Sequence, residues 1–439
     1  MNRFPNMLGP EGCGTAAHFS RRTLLQAGAG LAWLTPLSRL LAASSEQSPD
    51  ARRRPKSVIV LWMQGGPSQL ETWDPHAGKL IGGDVKGIDT SVPGVQLADT
   101  MPFTAEIMDQ VSLLRCVTSK EGDHERATYN MQTGYRPDPT LVHPAIGAVM
   151  CHELSIDGVE IPRHVSIFPS EFSPKGGFLG NKYDAFRMYD PIGPLPDLPK
   201  RVGEDRFEAR MADLDILESS FARGRRADLE ANKTLHRKTV ERATTMMTSD
   251  QIGAFNIDEV PKALKDQFGD NGFGRGCLCA TQLIETGVRC VQVTLSGWDT
   301  HANNHQLQSA RAAQLDAAFS ATIKHLQEKE IFEDTLVLCG GEFGRTPKIN
   351  PAAGRDHWPH GFSVALAGGG IRRGVVLGET DPEGGKITAD TKHAVRVEDI
   401  HATIHSALGI DFTKDYQTPI GRPMAICQGE PISQIIADV

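Results

Sequence analysis

An α/β architecture, with a mostly parallel central sheet and helices on both faces, is predicted by three features of the sequence. Short apolar, β-branched runs alternate with segments of helical period from residue 56 onward. Several of these runs end in glycine-rich turns, namely Gln64-Gly65-Gly66-Pro67-Ser68, Gly340-Gly341-Glu342-Phe343-Gly344 and Gly368-Gly369-Gly370. The composition is that of a loop-rich globular chain, with 39% apolar and 23% charged residues, 44 Gly and 27 Pro among 439.

The first element is an address rather than part of the fold. Ser20-Arg21-Arg22-Thr23-Leu24-Leu25-Gln26 is a paired-arginine motif, followed by a mild apolar stretch to Leu37 and small residues at Ala42-Ala43-Ser44-Ser45. Charged, apolar and small regions in that order read as an export signal over 1–45, and the arginine pair points to the twin-arginine (Tat) machinery. Residues 46–55 are rich in Ser, Arg and Pro and read as a disordered linker. The folded domain is then 56–439, with a periplasmic or extracellular location.

Within it, 56–63 (KSVIVLWM) reads as a buried strand and 111–117 (VSLLRCV) as a second. Residues 125–133 read as a helix stopped by Gly134, and 164–168 as a weaker strand. Residues 169–200 lack periodicity and read as a long loop. From 204 to about 267 charges are dense and apolar residues recur at helical spacing, which predicts an insertion of two or three amphipathic helices. The α/β pattern then resumes, with helices at 273–286, 305–329 and 397–408 and strands at 288–295, 335–339 and 362–367.

Composition excludes some functions. The net charge of -8 is opposite to the basic footprint of a nucleic-acid binder. The longest apolar run is shorter than the roughly 20 residues of a membrane span, so the mature chain carries no predicted integral span. Of eight cysteines, Cys13 lies in the signal. Cys116, Cys290 and Cys339 fall in strand-like runs as small core residues, and Cys277 and Cys279 are too close for a redox pair. A single disulfide stays open, but not a disulfide scaffold. No G-x-G-x-x-G follows a strand, which leaves little support for an oxidoreductase.

In parallel sheets the functional loops lie beyond the carboxyl ends of the strands. Strand 56–63 is followed by Ser68, Glu71, Asp74 and His76, and strand 111–117 by Thr118, Ser119, Asp123 and His124. Strand 288–295 leads to Asp299, His301, Asn303, Asn304 and His305, and strand 335–339 to Glu342 and Arg345. Arg355, Asp356, His357 and His360 precede strand 362–367. Taken one at a time these residues fit turn caps and surface ion pairs. Together at one sheet edge, carboxylates and imidazoles suit divalent ions such as zinc or manganese.

These motifs carry a family likeness. The segments 61–75 (LWMQGGPSQLETWDP), 124–134 (HERATYNMQTG), 297–304 (GWDTHANN), 335–347 (TLVLCGGEFGRTP) and 354–370 (GRDHWPHGFSVALAGGG) span nearly the whole chain. With the arginine-pair signal, the chain resembles the Tat-exported bacterial family called domain of unknown function fifteen-oh-one. More broadly it resembles the alkaline-phosphatase-like superfamily of phosphatases and sulfatases. The resemblance implies an alkaline-phosphatase-like core and one or two divalent ions (zinc, manganese or calcium). It also implies the ligands Asp299, His301, Glu342 and His357, with Asp74 and Glu71 as weaker ones.

Three positions depart from the superfamily pattern: Gln64 stands near its first-strand Asp, Phe343 at a His ligand, and His124 at the nucleophile. His124 lies nine residues before Thr133, in the Thr133-Gly134 pair. Imidazole can attack covalently, act as a base or ligate a metal, but it cannot become formylglycine. Thr118 and Ser119 are alternative hydroxyls, and Gln69 stands where the narrower family often has His. Arg345 is expected to neutralise charge on the transferred group. Two readings follow: an exported metal-dependent hydrolase of phosphate or sulfate esters, or a degenerate, non-catalytic binding or accessory protein.

Overall fold

A computed structural model describes residues 54–437 other than 155–157, 194, 196–197, 199–201, 223–234, 382 and 384–393. The expected export signal and the linker as far as residue 53 lie outside the described residues.

The strands of the main sheet are β1 (Ser57–Gln64), β2 (Val111–Thr118), β3 (His164–Ile167), β4 (Phe186–Met188), β5 (Cys290–Ser296), β6 (Thr335–Gly340), β7 (Phe362–Gly368), β8 (Val376–Leu377) and β9 (Val395–Arg396). Their order is β8-β2-β7-β6-β1-β5-β3-β4, with β9 also on β2. β1 is central and pairs in parallel with both β5 and β6. It is buried along almost its whole length, as a strand covered on both faces must be. β7 alone runs antiparallel to its two neighbours, β2 and β6. That reversal fixes the location of the site. The chain entering β7 arrives at the same edge where β1, β2, β5 and β6 leave.

The helices are α1 (His124–Thr133), α2 (Ile146–Glu153), α3 (Glu204–Ala222), α4 (Leu235–Thr248), α5 (Lys262–Phe268), α6 (Gly272–Thr286), α7 (Asn304–Glu328) and α8 (Val397–Ala407). Alternate residues of β1 feed two cores. Ile59, Leu61 and Met63 pack with Cys277, Leu278, Leu315 and Phe319 of α6 and α7. Val58, Val60 and Trp62 pack with Met131, Val149, Ile400 and Ile404 of α1, α2 and α8. The expected insertion contains α3, α4 and α5, the last packed on α6 and α7. Two expectations need correction. Residues 169–200 are not only loop, because β4 adds a parallel edge strand there. The helix α2 was not anticipated, since its short apolar run carries no clear period. All seven cysteines of the described chain are free, and Cys151 is the only one not buried. Among the described residues no helix is long and apolar enough to cross a membrane.

Three buried histidines on the α1–α2–α8 side link this core to pH. His401 donates Nε2–H to the Met131 carbonyl at 2.8 Å, and His164 donates Nδ1–H to the Tyr183 carbonyl at 3.0 Å. His405 Nδ1 has no partner. Burial holds His164 and His401 down to about 4 and His405 to about 3. Folded imidazoles therefore refuse protons that the unfolded chain accepts below its ordinary value of about 6.5. Stability is complete above that value and is lost as pH falls towards the folded values. Between about pH 7 and pH 5 each histidine is expected to cost about 2 kcal/mol. Urea midpoints should drop steeply over that interval, and a flat profile would contradict the burial of these rings.

Candidate metal centre

Two glycines at the end of β1 let the loops close together. Gly65 and Gly66 have φ of 117° and 76°. A Cβ on Gly65 would lie 2.5 Å from the Asp299 nitrogen, and one on Gly66 would lie 2.5 Å from the Phe343 ring. The loop after β5 brings Asp299 and His301, and the turn after β6 brings Glu342 and Phe343. His357 lies on a short antiparallel ladder opposite Arg345, just ahead of β7. His124 opens α1, where Asp123 caps the helix by accepting from the Arg126 N–H.

The three histidines are held alike. His124 Nδ1 is 2.8 Å from Glu342 Oε1, His301 Nδ1 is 2.9 Å from Asp356 Oδ1, and His357 Nδ1 is 2.8 Å from the Gly122 carbonyl. Each of these partners only accepts, so each Nδ1 is held as a donor and each Nε2 is turned towards Asp299. Those Nε2 atoms converge. His301 Nε2 is 3.2 Å from His357 Nε2. Asp299 Oδ1 is 3.0 Å from His301 Nε2 and 3.4 Å from His357 Nε2, while its Oδ2 is 3.5 Å from His124 Nε2. The buried His124 Nε2 has no hydrogen-bond partner. One ligand atom from each of His124, Asp299 and His357 lies within 4.8 Å of the others. Lone pairs facing each other and a carboxylate repel unless a proton or a cation sits among them. The second acceptor on each imidazole is the arrangement that fixes ring and tautomer around a metal.

The local charges act together. The hydrogen bond that His124 donates to Glu342 raises the His124 pKa against the opposing effect of burial. Burial lowers that of His357. Burial alone would raise the Asp299 carboxyl, but the hydrogen bond and charge of Arg345 hold it below its usual range.

The other sequence-derived candidates sit elsewhere or serve differently. Glu71 is buried against Arg355 Nε at 3.1 Å and also accepts from Ser68 Oγ. Asp74 accepts from the Thr380 N–H at 2.8 Å and hydroxyl at 2.7 Å, and lies 3.5 Å from Arg115. The structure brings neither acid to the cluster. Arg345 is fully buried, with four hydrogen bonds from its five N–H donors. It donates to the carbonyls of Gly65, Gly66 and Arg355, and to Asp299 Oδ1 at 2.6 Å. It holds Asp299 rather than facing an open space. Glu342 lies behind His124, accepting also from the Gly65 N–H at 2.9 Å.

The alternative hydroxyls are engaged away from the cluster, Ser119 with Asn130 and Thr118 with the Val395 carbonyl. Gln69 clamps the backbone of Arg345 through both ends of its amide. His360 is exposed and packs against Trp358 instead. Asp356 reads as a surface ion pair in sequence, and only the fold puts it on His301. The aromatic wall was also not anticipated: Phe343 lies 5.0 Å from His124 and 4.4 Å from His357 between ring centroids.

Residues 55–436 match the family described as "Protein of unknown function (DUF1501)". No curated protein matches the sequence. Among solved structures, a mutant of the alkaline phosphatase PafA is 9% identical, with 88% of this chain and 100% of that chain covered and a TM-score of 0.43. The PsFucS1 sulfatase from Pseudoalteromonas sp. is 14% identical over 85% of this chain and 71% of its own, with a TM-score of 0.39. The lipoteichoic acid synthase LtaP from Listeria monocytogenes is 10% identical over 82% and 73%, with a TM-score of 0.39.

Proposed function

The chain belongs to the DUF1501 family of proteins of unknown function, and from that premise we propose that it is an exported metal-dependent hydrolase of phosphate or sulfate esters. The observation that carries this reading is the convergence of three Nε2 atoms on Asp299, each ring locked from behind. His124, His301, His357 and Asp299 would hold the ion. Three nitrogens and one carboxylate suit zinc or manganese better than calcium, which takes an all-oxygen shell. When bound, such an ion polarises an ester oxygen and makes water acidic enough to attack near neutral pH.

This chain's residues do the rest. Glu342, Asp356 and the Gly122 carbonyl keep the three rings oriented. Arg345 keeps Asp299 ionised and in place. With Thr118 and Ser119 engaged elsewhere, the attacking oxygen is water's. Aryl phosphate and aryl sulfate turnover should appear on adding zinc or manganese to the mature protein, and disappear in His357→Ala. Full metal loading with no turnover of any aryl or sugar ester would instead favour the second reading, a non-catalytic sulfatase-like binding or accessory protein. The observation on that side is that Arg345 is fully buried and mostly engaged with backbone carbonyls and Asp299.

Export through the Tat machinery to the periplasm or beyond is part of the proposal and rests on the Arg21-Arg22 motif. Changing both arginines to lysine should leave the uncleaved chain in the cytoplasm. Unchanged processing and export would remove that part.

A further inference from the structure

We propose that the centre holds one cation rather than two, and that Glu342 is a positioning residue behind His124 rather than a ligand. The proposal rests on the metal reading above and sharpens it. Nδ1 and Nε2 lie on opposite sides of an imidazole. Glu342 Oε1 occupies the Nδ1 side of His124, at 2.8 Å, so its carboxylate is across the ring from the converging Nε2 atoms. The same oxygen takes the Gly65 N–H at 2.9 Å, and the side chain is completely buried. Glu342 Oε1 cannot turn to the ion at Nε2 without giving up both bonds.

A second ion beside the first would need its own donors. The space against His124 and His357 is filled by the buried Phe343 ring, at centroid separations of 5.0 and 4.4 Å. Gly66 is packed against that ring, where even a methyl group would overlap. Hydrocarbon offers no lone pair. The remaining acids of the first loop are committed, Glu71 to Arg355 and Asp74 to Thr380 and Arg115. The buried donor left over is Glu342 Oε2, without a partner. It is a single oxygen, whereas zinc takes about four donors and harder ions about six. Among the described residues, the one convergent group of three or more metal-binding side chains, His124, Asp299 and His357, lies in this same site, beside His301.

The test is stoichiometry together with the state of the His124 ring. The mature protein, stripped with a chelator, is titrated with zinc by calorimetry, and its metal content is measured after desalting. One equivalent is expected. Glu342→Leu should still bind one equivalent, with affinity weakened about 10- to 100-fold, and Glu342→Gln, which keeps an acceptor, should weaken it less. Ring-nitrogen NMR of labelled histidine should show His124 protonated at Nδ1 and metal-bound at Nε2 in the wild type. Two equivalents in the wild type, or a Glu342→Leu protein that keeps its circular dichroism but binds no metal, would overturn this inference and leave the hydrolase reading standing. No metal in the wild type would overturn both. The wild-type count does not depend on any variant folding.

Discussion

Asp299→Ala combined with His301→Ala is expected to abolish stoichiometric metal uptake while the sheet stays folded. Both side chains are about half exposed, at 45% and 49%, so their removal opens no core cavity. Arg345 loses its bond to Asp299 Oδ1 but keeps the carbonyls of Gly65, Gly66 and Arg355. That loss leaves a buried guanidinium without its bonded counter-charge, which costs about 3–5 kcal/mol, and the charges of Glu342 and Asp356 close by offset part of it. The cost to the centre is larger in kind. Only two imidazoles, His124 and His357, would remain facing each other, with ring centroids 4.4 Å apart. Two neutral donors hold a divalent ion far less tightly than three and a carboxylate. Metal content after desalting checks the expectation. A full equivalent retained by a folded double variant would remove Asp299 and His301 from the ligand set.

Glu71→Ala is expected to have the opposite signature, a large loss of stability with metal uptake per folded molecule unchanged. The Glu71 and Arg355 side chains are only 2% and 1% exposed and lie 3.1 Å apart. Arg355 also donates to the carbonyls of Thr346 at 3.0 Å, Pro347 at 2.6 Å and Ile81 at 2.7 Å, so it ties the 346–347 turn to the segment around Ile81. Removing the carboxylate leaves a buried guanidinium without its counter-charge, which costs about 3–5 kcal/mol. Glu71→Gln should cost less, because it keeps an oxygen acceptor for Arg355. Urea unfolding and metal analysis on the same sample separate the two roles. A Glu71→Ala protein that is as stable as the wild type but metal-free would make Glu71 a ligand after all.

The frame of the molecule was legible in the sequence because buried parallel strands announce themselves. The runs at 56–63, 111–117, 288–295, 335–339 and 362–367 all became strands within a residue or two of the expected ends. β4 was not legible, since three residues at an edge carry no period. Where the acids and histidines gather was also readable, because strand ends mark one edge. Their roles were not. Glu71 and Asp74 follow a strand as ligands would, yet their partners Arg355 and Arg115 lie far away in the chain. Arg345 looked like a free cation because nothing in its sequence neighbourhood shows that the carbonyls of β1's turn will consume it. His124 and Phe343 stood out as departures from a resembling pattern. That the imidazole points its free nitrogen at Asp299, with the phenyl ring walling it in, depends on the close approach at Gly65 and Gly66.

The central claim is that His124, His301, His357 and Asp299 surround a divalent cation. Elemental analysis of the purified mature protein tests it most directly. One equivalent of zinc, manganese or another first-row divalent ion per chain is the expected result. No bound metal, either as purified or after reconstitution with zinc and with manganese, would contradict it.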